Sequence, residues 1–399
     1  MKILMVHNYL RPPSGENTVF EQERQLLESK GHEVVAYTRE NSEIETMRFF
    51  EKAMLPLRAF WSVTDHREIS RIVRTEKPDV AHFHNIFPLV SPAAYRACKG
   101  AGVPVVQTLH HFRIVCPGAL LFREGRVCED CSGMHFLPGI RHGCYRNSSL
   151  QTAGMAAVVH FHRMIRTWRD RVDLYIALSG FALETYRRLG FPSSDFYVKT
   201  NFLQDPVEPV SEDEEYGIYI GRIGEEKGIP ALVDALRKCP EIPFKVIGDG
   251  PLTDYLLGRL KERGLENLEY LGVKSHKECM KYLVKARFMV LPSQWYEGVP
   301  MVLLEAMSAG KPAIVSNIGV LSEMVMDRIN GLVFTPGAKE ELTERMKRLH
   351  ADPEGAREMG KKGRDLFEEK YTREVNYSML MEAYRKAIEI GNGKIRRKE

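Results

Sequence analysis

The sequence predicts an α/β protein of two doubly wound domains, each built around a parallel sheet. Three observations support this fold class. Short apolar runs alternate with amphipathic helical stretches along most of the chain. That alternation stops at 201–215, where proline and acidic residues replace the apolar pattern, as in a linker between domains. The length of 399 residues is enough for two ordinary domains that each bury a core.

The apolar runs predict the strands of each sheet in chain order. In the N-terminal domain, we expect strands at 2–6, 33–37, 80–83, 105–108 and 174–177. In the C-terminal domain, we expect strands at 218–220, 244–247, 268–271, 288–291, 313–316 and 332–334. We therefore predict an N-terminal domain at 1–205, a C-terminal domain at 206–372 and a final helix at 373–392.

The segment 293–310 carries two carboxylates, Glu297 and Glu305, on either side of a predicted helix start. Pro300 suits the first turn of that helix, and Gly310 suits the position just after its end. The apolar run that ends at Leu291 predicts a buried strand before the loop. The segment is therefore expected to run from a strand through a loop into a helix.

A helix that starts after such a loop can bind an anion. The backbone N–H groups of Gly298 and Val299 would face a phosphate at the positive end of the helix dipole, while Glu297 and Glu305 would accept hydrogen bonds from sugar hydroxyls. The alternative is a capping role for Glu297 and a solvated Glu305. That alternative does not explain a carboxylate on an otherwise apolar helix face. The segment thus predicts a ligand in which a sugar is attached to phosphate.

A glycine-rich turn at 221–228 carries two cations, Arg222 and Lys227, before a helix expected from Ile229. A guanidinium fork and an ammonium group can converge on one diphosphate, which leaves when the bond between sugar and phosphate breaks. A solvated surface turn is the alternative. Because the turn follows the carboxyl end of a predicted strand, where open parallel sheets bind ligands, the pattern favours the diphosphate interpretation.

Together and in this order, the two segments resemble the family 4 retaining glycosyltransferases of the GT-B fold, in which two Rossmann-like domains face a cleft. The Glu-x7-Glu pair is the signature of that family. The resemblance covers nearly the whole chain. The segments 78–85, 103–110 and 127–131 are similar to a bacterial and archaeal subgroup that builds envelope polysaccharides or glycolipids.

The resemblance implies roles for the residues of the C-terminal half. Glu305 would bind the nucleotide ribose and Glu297 a hydroxyl of the donor sugar, while Gly298 and Val299 would supply backbone donors. The two cations of the glycine-rich turn would neutralise the departing diphosphate. Since no Asp-x-Asp pair stands where a metal could bridge that diphosphate, we expect no catalytic metal and no required cofactor.

The resemblance also implies contacts to the donor from other loops. His110, just past the strand at 105–108, would face the donor sugar as a catalytic residue. Gly15 and Gly248 would lie in loops close to the donor. Two family glycine pairs are altered, to Ser14-Gly15 and Gly319-Val320. The final helix would return to the N-terminal domain.

The implied activity is a hexosyltransferase-type glycosyltransferase that moves a sugar from a nucleotide diphosphate, expected to be UDP, to a lipid-linked or polysaccharide acceptor. One alternative is a sugar-nucleotide epimerase or hydrolase on the same fold. The other alternative is a non-enzymatic, zinc-stapled module that binds an anionic polymer, suggested by four cysteines and a cluster of arginines.

The composition predicts a protein without a membrane span. No apolar run approaches the roughly 18 residues that a span requires, and the start at Met1 lacks the basic segment and cleavage site of a signal peptide. We therefore expect a cytoplasmic protein. The net charge of +4 is too small to indicate a nucleic-acid partner.

An arginine cluster nevertheless suggests contact with anionic lipid at the inner face of the cell membrane. Apolar residues recur at helical spacing, offset from the arginines, at Leu150, Ala153, Ala157, Phe161, Ile165 and Trp168; the arginines are Arg163, Arg166, Arg169 and Arg171. One interpretation is an interfacial helix. The other is a helix whose apolar stripe faces the core and whose basic face is solvated, and the pattern favours this second interpretation.

Four of the seven cysteines are grouped in the sequence: Cys116, Cys128, Cys131 and Cys144. A Cys-x2-Cys pair with two further thiols can bind structural zinc in tetrahedral geometry. Buried, reduced thiols are the equally supported alternative, because Cys116 and Cys144 do not form a second tight pair. The sequence therefore leaves a structural zinc site open.

Overall fold

A computed structural model describes residues 1–10, 15–193, 195–210 and 213–396. Within these ranges the chain divides into two compact units. Unit 1 comprises 1–121, 129–201 and the segment from Arg373 onward, and unit 2 comprises 122–128 and 202–372. Ser14, predicted to form a family pair with Gly15, lies outside the described residues.

The secondary structure alternates between strands and helices through most of both units. The strands are β1 (Lys2–Tyr9), β2 (Glu33–Glu40), β3 (Val80–Phe83), β4 (Val105–Leu109), β5 (Phe122–Arg123), β6 (Arg126–Val127), β7 (Leu174–Ala177), β8 (Phe196–Val198), β9 (Gly217–Ile220), β10 (Phe244–Ile247), β11 (Leu268–Tyr270), β12 (Phe288–Leu291), β13 (Ala313–Ser316) and β14 (Gly331–Phe334).

The helices occupy the connections. They are α1 (Gly15–Ser29), α2 (Glu43–Thr46), α3 (Phe49–Ala53), α4 (Leu55–Phe60), α5 (Val63–Glu76), α6 (Ala93–Gly100), α7 (Leu137–Arg141), α8 (Ser149–Met164), α9 (Thr167–Asp170), α10 (Gly180–Arg188), α11 (Ile229–Leu236), α12 (Thr253–Leu260), α13 (His276–Lys285), α14 (Met301–Ser308), α15 (Leu321–Met324), α16 (Lys339–Ala351), α17 (Pro353–Lys370) and α18 (Arg373–Arg396), with a 3₁₀ turn at Ser132–Met134.

Each unit is built on a parallel sheet, which confirms the predicted fold class. The strand order is β2-β1-β3-β4-β7-β8 in unit 1 and β11-β10-β9-β12-β13-β14 in unit 2. The order reverses between β1 and β3 in the first sheet and between β9 and β12 in the second. In open α/β sheets, ligands bind beside the carboxyl ends of the strands at such a reversal.

The predicted strands agree with the observed ones to within a few residues at their ends. They coincide with apolar runs because central parallel strands are covered on both faces, and β3, β4, β7 and β12 are buried along their whole length. Strand β8 was not predicted from the sequence. This strand is short and half-buried at the sheet edge, so its apolar signal is weak.

The domain boundaries differ from the predicted ones in two places. The change of unit falls between Asn201 and Phe202, rather than after residue 205. The reason is that Leu203 forms a parallel bridge with Thr372 of unit 2. In addition, the hairpin of β5 and β6 groups with unit 2, although it interrupts the chain of unit 1.

Helix α18 packs within unit 1, against α1 and the strands β3, β4 and β7. Its buried residues Leu380, Ala383, Tyr384 and Ala387 recur at i, i+3, i+4 and i+7, which places them on one helix face. The helix is longer than the predicted 373–392. The fold of unit 1 thus includes residues from both ends of the described chain.

Helix α8 does not bury the predicted apolar stripe. Its buried face contains Thr152, Met155, Ala156, Val158, Val159 and His162. By contrast, Leu150 is 84% exposed and Phe161 is 36% exposed. The favoured interpretation was therefore wrong about which stripe faces the core. Apolar residues cover more than one side of this helix, so periodicity alone does not identify the buried side.

None of the described helices has the length and apolarity needed to cross a membrane.

Candidate donor site and histidine cluster

The predicted donor-binding residues of unit 2 lie in loops that follow adjacent strands. The turn with Arg222 and Lys227 follows β9, Gly248 follows β10, and Glu297 follows β12. Because β10, β9 and β12 are neighbours in a parallel sheet, their loops emerge at the same sheet edge. The reversal of strand order lies between two of these loops.

Lys227 and Glu297 form an ion pair across that reversal. The Lys227 Nζ atom lies 2.7 and 2.9 Å from the two carboxylate oxygens of Glu297. The hydroxyl of Ser293 donates a 2.6 Å hydrogen bond to Glu297 Oε1. Glu297 is buried, whereas the Lys227 side chain remains 22% exposed and lies over the Trp295 ring. The pair places an ammonium group and a hydrogen-bond acceptor side by side.

Arg222 does not join this pair. Its side chain is 58% exposed and lies 3.5 Å from the carboxylate of Glu226. The backbone carbonyl of Arg222 accepts a 2.6 Å hydrogen bond from Tyr219, which anchors the turn. The structure therefore brings Lys227 and Glu297 together and leaves the guanidinium at the surface of the same turn.

Two glycines permit the close packing of these loops. Gly228 has a φ of +74°, and a Cβ atom there would lie 1.8 Å from the backbone oxygen of Pro292, next to Ser293. Gly248 has a φ of +139°, and a Cβ atom there would lie 1.9 Å from the backbone oxygen of Gly221. Only glycine fits such contacts between main chains. The spacing between the loops after β9, β10 and β12 thus depends on these glycines.

Helix α14 begins where the sequence predicts it, after Gly298 and Val299. Pro300 is its N-cap rather than a member of the first turn. Gly310 has a φ of +64° just beyond the helix end, as predicted for a C-terminal stop. The dipole of α14 therefore makes the loop that contains Gly298 electropositive.

Glu305 lies within α14 and has a partner that the sequence analysis missed. His276 Nε2 lies 2.8 Å from Glu305 Oε1, and this hydrogen bond raises the pKa of His276 above its usual value. Ser275 and Glu278 form a capping box that marks the start of α13. That signal locates His276 on a helix start, but it does not reveal that α13 packs beside α14.

The predicted residues of unit 1 are Gly15 and His110. Gly15 is the first residue of α1 and opens the described range 15–193. His110 directly follows β4 and lines a cavity together with His84 and Gln107. Its Nε2 atom lies 2.9 Å from Nδ1 of His84. Burial, followed by the nearby His84 and His7, lowers the pKa of His110 well below its usual value, so the ring is neutral near pH 7.

A buried cluster extends from His84 into the interior of unit 1. Glu23, His82 and His84 offer ligand atoms within 4.8 Å of one another, and within the described ranges no other group of three potential metal ligands does so. However, Lys199 Nζ lies 2.7 Å from Glu23 Oε1 and is fully buried. The lysine supplies the positive charge that a metal ion would bring to Glu23.

Among the described residues, no three of the four grouped cysteines have sulfur atoms within 4.8 Å of one another. Cys128 lies in the hairpin segment of unit 2, whereas the other three lie in unit 1. The thiol of Cys116 is buried, which raises its pKa, while the backbone N–H groups of Leu121, Gly118 and Ala119 act in the opposite direction. The zinc site stays a prediction. Elemental analysis of protein purified without chelator tests it, since less than about half an equivalent of zinc would contradict it.

Comparisons with known proteins divide the chain at the same place as the structure. Residues 13–203 match the family described as Glycosyltransferase Family 4, and residues 202–366 match the family described as Glycosyl transferases group 1. An uncharacterized glycosyltransferase of Methanocaldococcus jannaschii is 33% identical over 154 residues, which cover 39% of this chain and 43% of that protein.

Two further proteins are similar over larger shares of the chain. The lipopolysaccharide 1,2-N-acetylglucosaminetransferase of Salmonella typhimurium is 30% identical over 211 residues, which cover 49% of this chain and 52% of that protein. The chain therefore spans about half the length of these curated relatives. The solved structure of HepE from Anabaena in complex with UDP has a TM-score of 0.67 and 18% identity, over 96% of this chain and 99% of that one.

The two family matches together account for nearly all of both units, and the solved structure is similar in fold over 96% of this chain. The Glu-x7-Glu pair lies in the unit that matches the second family model. The chain belongs to the family 4 glycosyltransferases of the GT-B fold.

Proposed function

We propose that the protein transfers a sugar from a UDP-sugar to a lipid-linked or polysaccharide acceptor, with retention of the anomeric configuration. The observation that carries this proposal is the Lys227–Glu297 pair, held between the loops after β9 and β12. UDP as the nucleotide is supported by HepE, which was solved with UDP. The acceptor class is supported by the Salmonella relative, whose name states a lipopolysaccharide reaction.

The proposed mechanism uses charge rather than a protein nucleophile. As the bond between sugar and diphosphate breaks, negative charge grows on the leaving phosphate, where the Lys227 ammonium stabilises it. The exposed Arg222 swings from Glu226 to the same phosphate. Glu297 binds a hydroxyl of the donor sugar, and Glu305 binds the ribose. The acceptor hydroxyl attacks the anomeric carbon of the donor sugar from the face that the diphosphate leaves. A phosphate oxygen of the donor takes the proton of that hydroxyl.

Donor screening tests the proposal. We expect UDP and one or more UDP-sugars to raise the unfolding temperature, because a ligand at about 100 times its dissociation constant adds roughly 2.7 kcal/mol of stability. With the active UDP-sugar, lipid-linked and glycan acceptors are then tested, and NMR of the product reports the anomer. Turnover of donor without any acceptor would instead indicate an epimerase or hydrolase. An inverted product would contradict retention.

Replacement of Glu305 by Gln should weaken donor binding by about 1–3 kcal/mol, because a charge-assisted acceptor for ribose hydroxyls becomes a neutral amide. Calorimetric titration with UDP measures the change. Glu269→Gln is the matched control, since Glu269 pairs with Lys245 at the surface of the same unit. Equal UDP affinities in the two variants would contradict the proposal that Glu305 binds the ribose.

Donor binding should depend on pH through His276. Because Glu305 raises the pKa of His276, their interaction is fully present below about pH 6.5 and is lost as the pH rises through that raised value. Protonated His276 competes with the ribose for Glu305, so the donor KM should fall as the pH rises. An exposed pair is worth about 0–1 kcal/mol, so the change is at most roughly fivefold. In His276→Gln this dependence should disappear; its persistence would exclude His276 as the cause.

Activity should survive brief treatment with EDTA at low temperature, because we propose that no catalytic metal or other cofactor is required. Initial rates with and without the chelator provide the measurement. A loss that magnesium or manganese restores would contradict the role given to Lys227 and Arg222. A slow loss that only zinc restores would support the cysteine site instead, because structural metals are removed together with the fold.

We also propose that the protein is cytoplasmic and binds the anionic inner face of the cell membrane through α4 and α8. These helices pack together, with the Phe60 and Phe161 rings 5.8 Å apart. Leu57, Leu150 and Met164 on them are 58%, 84% and 71% exposed. This surface brings together exposed apolar side chains and arginines, a combination that suits an interfacial site.

The charge on this surface matches an anionic bilayer. Helix α8 contains no acidic residue, and Arg163, Arg166 and Arg169 are exposed at or after its end. Each basic residue near such a surface contributes about 1 kcal/mol. Sedimentation with phosphatidylglycerol vesicles should bring down the wild type but not a Leu150→Ser/Met164→Ser/Arg169→Gln variant. Equal sedimentation of the two proteins would place any membrane contact elsewhere.

A further inference from the structure

The buried cluster behind His110 contains two polar atoms that lack a conventional partner. Glu23 Oε2 and His84 Nε2 are both buried, and neither has a hydrogen-bond partner in the described part of the chain. They lie 3.4 Å from each other. An unsatisfied buried polar atom costs about 1–3 kcal/mol, so a proton held between these two atoms removes two penalties at once.

The charge on Glu23 determines where that proton resides. Burial alone would raise the pKa of Glu23, but Lys199, whose Nζ lies 2.7 Å from Oε1, acts in the opposite direction, and the pKa lies well below its usual range. Glu23 is therefore a carboxylate, which only accepts hydrogen bonds. With a single proton on its ring, His84 carries that proton on Nε2, 3.4 Å from Glu23 Oε2. The same arrangement leaves His84 Nδ1 as an acceptor.

His110 completes the chain of hydrogen bonds. With His84 Nδ1 as the acceptor, the 2.9 Å contact requires that His110 donate from Nε2. A neutral His110 then has an unprotonated Nδ1. No described residue forms a hydrogen bond with this second ring nitrogen. An unprotonated imidazole nitrogen accepts a hydrogen bond from a hydroxyl, and it repels a phosphate oxygen.

We propose that Glu23 and His84 are positioning residues that hold His110 in the tautomer with a proton on Nε2, so that His110 binds a sugar hydroxyl through Nδ1. This inference rests on the proposed function, because it takes His110 to face the donor sugar. It defines what the histidine recognises, namely a hydroxyl and not the diphosphate. Neither Glu23 nor His84 needs to touch the substrate.

The surrounding contacts fix the carboxylate in place. Lys199 Nζ also approaches the backbone oxygen of Thr200 and Oδ1 of Asn376, each at 3.3 Å. His82, the other histidine near Glu23, is held by Thr108 at 2.8 Å and Tyr384 at 2.9 Å. His84 is therefore the histidine left to pair with Glu23 Oε2. Helix α18 contributes Asn376 and Tyr384 to this support.

The test replaces both members of the buried ion pair, because removal of one would leave a buried charge without its partner. The variant is Glu23→Gln/Lys199→Gln. The matched control is Lys99→Gln/Asp173→Asn, which neutralises another ion pair in unit 1 that has a buried carboxylate and a 2.7 Å contact. Imidazole ¹⁵N NMR of histidine-labelled protein reports each tautomer, and the signals lost in His110→Gln identify His110.

We expect wild type and control to show His110 protonated on Nε2, and the Glu23/Lys199 variant to show a mixture of tautomers. Its kcat/KM for the UDP-sugar should fall on the order of 10- to 100-fold, the loss typical when the hydrogen-bond partner of a metal-binding histidine is removed. Its affinity for UDP alone should not change, because UDP lacks the donor sugar that His110 is proposed to bind. Glu23→Asp keeps the carboxylate, so this variant should retain part of the activity that the Glu23/Lys199 variant loses.

Three results would overturn the inference: a wild-type His110 protonated on Nδ1, an unchanged tautomer in the Glu23/Lys199 variant, or a changed tautomer with the kcat/KM of the control. The tautomer measurement does not depend on turnover. A protein inactive with every UDP-sugar but with the expected tautomers would therefore contradict the proposed function and leave the hydrogen-bond chain intact.

Discussion

Replacement of Lys227 by Ala is expected to lower kcat by roughly two to three decades at saturating donor, with a smaller change in KM. In the proposed mechanism the ammonium faces charge that grows on the diphosphate during bond cleavage, and loss of one preorganised group of this kind costs about 2.7–4 kcal/mol. A cation that bound the ground and transition states equally would change only KM. Steady-state kinetics with the UDP-sugar identified by screening measure the effect.

The ion pair with Glu297 requires two further variants. Lys227→Ala leaves the buried Glu297 carboxylate without its cation, so Lys227→Ala/Glu297→Gln separates the loss of the ammonium from the effect of an unpaired charge. Lys245→Ala is the matched control, because Lys245 is 21% exposed and pairs with Glu269 on the same unit. Near-normal kcat in both Lys227 variants would show that this turn only anchors the donor.

Replacement of Gly228 by Ala should destabilise unit 2 by about 2–5 kcal/mol and abolish most activity. The left-handed conformation costs a residue with a Cβ roughly 1–2 kcal/mol, and the clash with the Pro292 oxygen forces the loops apart at a further cost of about 1–3 kcal/mol. Urea unfolding measures the stability. The movement separates Lys227 from Glu297, so kcat/KM should fall beyond what partial unfolding explains.

Gly264→Ala provides the comparison. Gly264 also lies in unit 2 and has a φ of +91°, but a Cβ atom added there would meet no described neighbour within 4 Å. That variant should lose only the roughly 1–2 kcal/mol of the left-handed conformation and keep its activity. If both variants lose the same stability, the contact between the loops after β9 and β12 is not tight.

The sequence predicted the elements of the fold well because parallel strands buried on both faces leave continuous apolar runs. It also predicted Lys227, Glu297 and Glu305 as site residues, since each follows a strand end or lies in a helix with a recognisable start. Their partners were not predictable in the same way. The pairing of Lys227 with Glu297, and of Glu305 with His276, depends on which strands and helices become neighbours in the folded unit.

The histidine cluster illustrates the same limit more strongly. His82 and His84 alternate along the chain at the end of β3, but Glu23, Lys199 and Tyr384 come from three distant segments. No local spacing connects a carboxylate in α1 with a lysine after β8. For α8, the sequence did not show which side of the helix is buried. Apolar residues lie on both sides of the helix, so the choice of buried face depended on packing against α4, α7 and α9.

The path of the chain through unit 1 has a consequence for biosynthesis. Residues 1–201 emerge from the ribosome first, but α18 emerges only after the whole of 202–372. At about 5–20 residues per second, this delay is on the order of 10–30 s. Until then, the sheet surface that Leu380, Ala383 and Tyr384 cover is exposed, and Glu23 and Lys199 lack the support of Asn376. The nascent N-terminal segment is therefore a candidate client for chaperones, while 202–372 can fold as one continuous stretch.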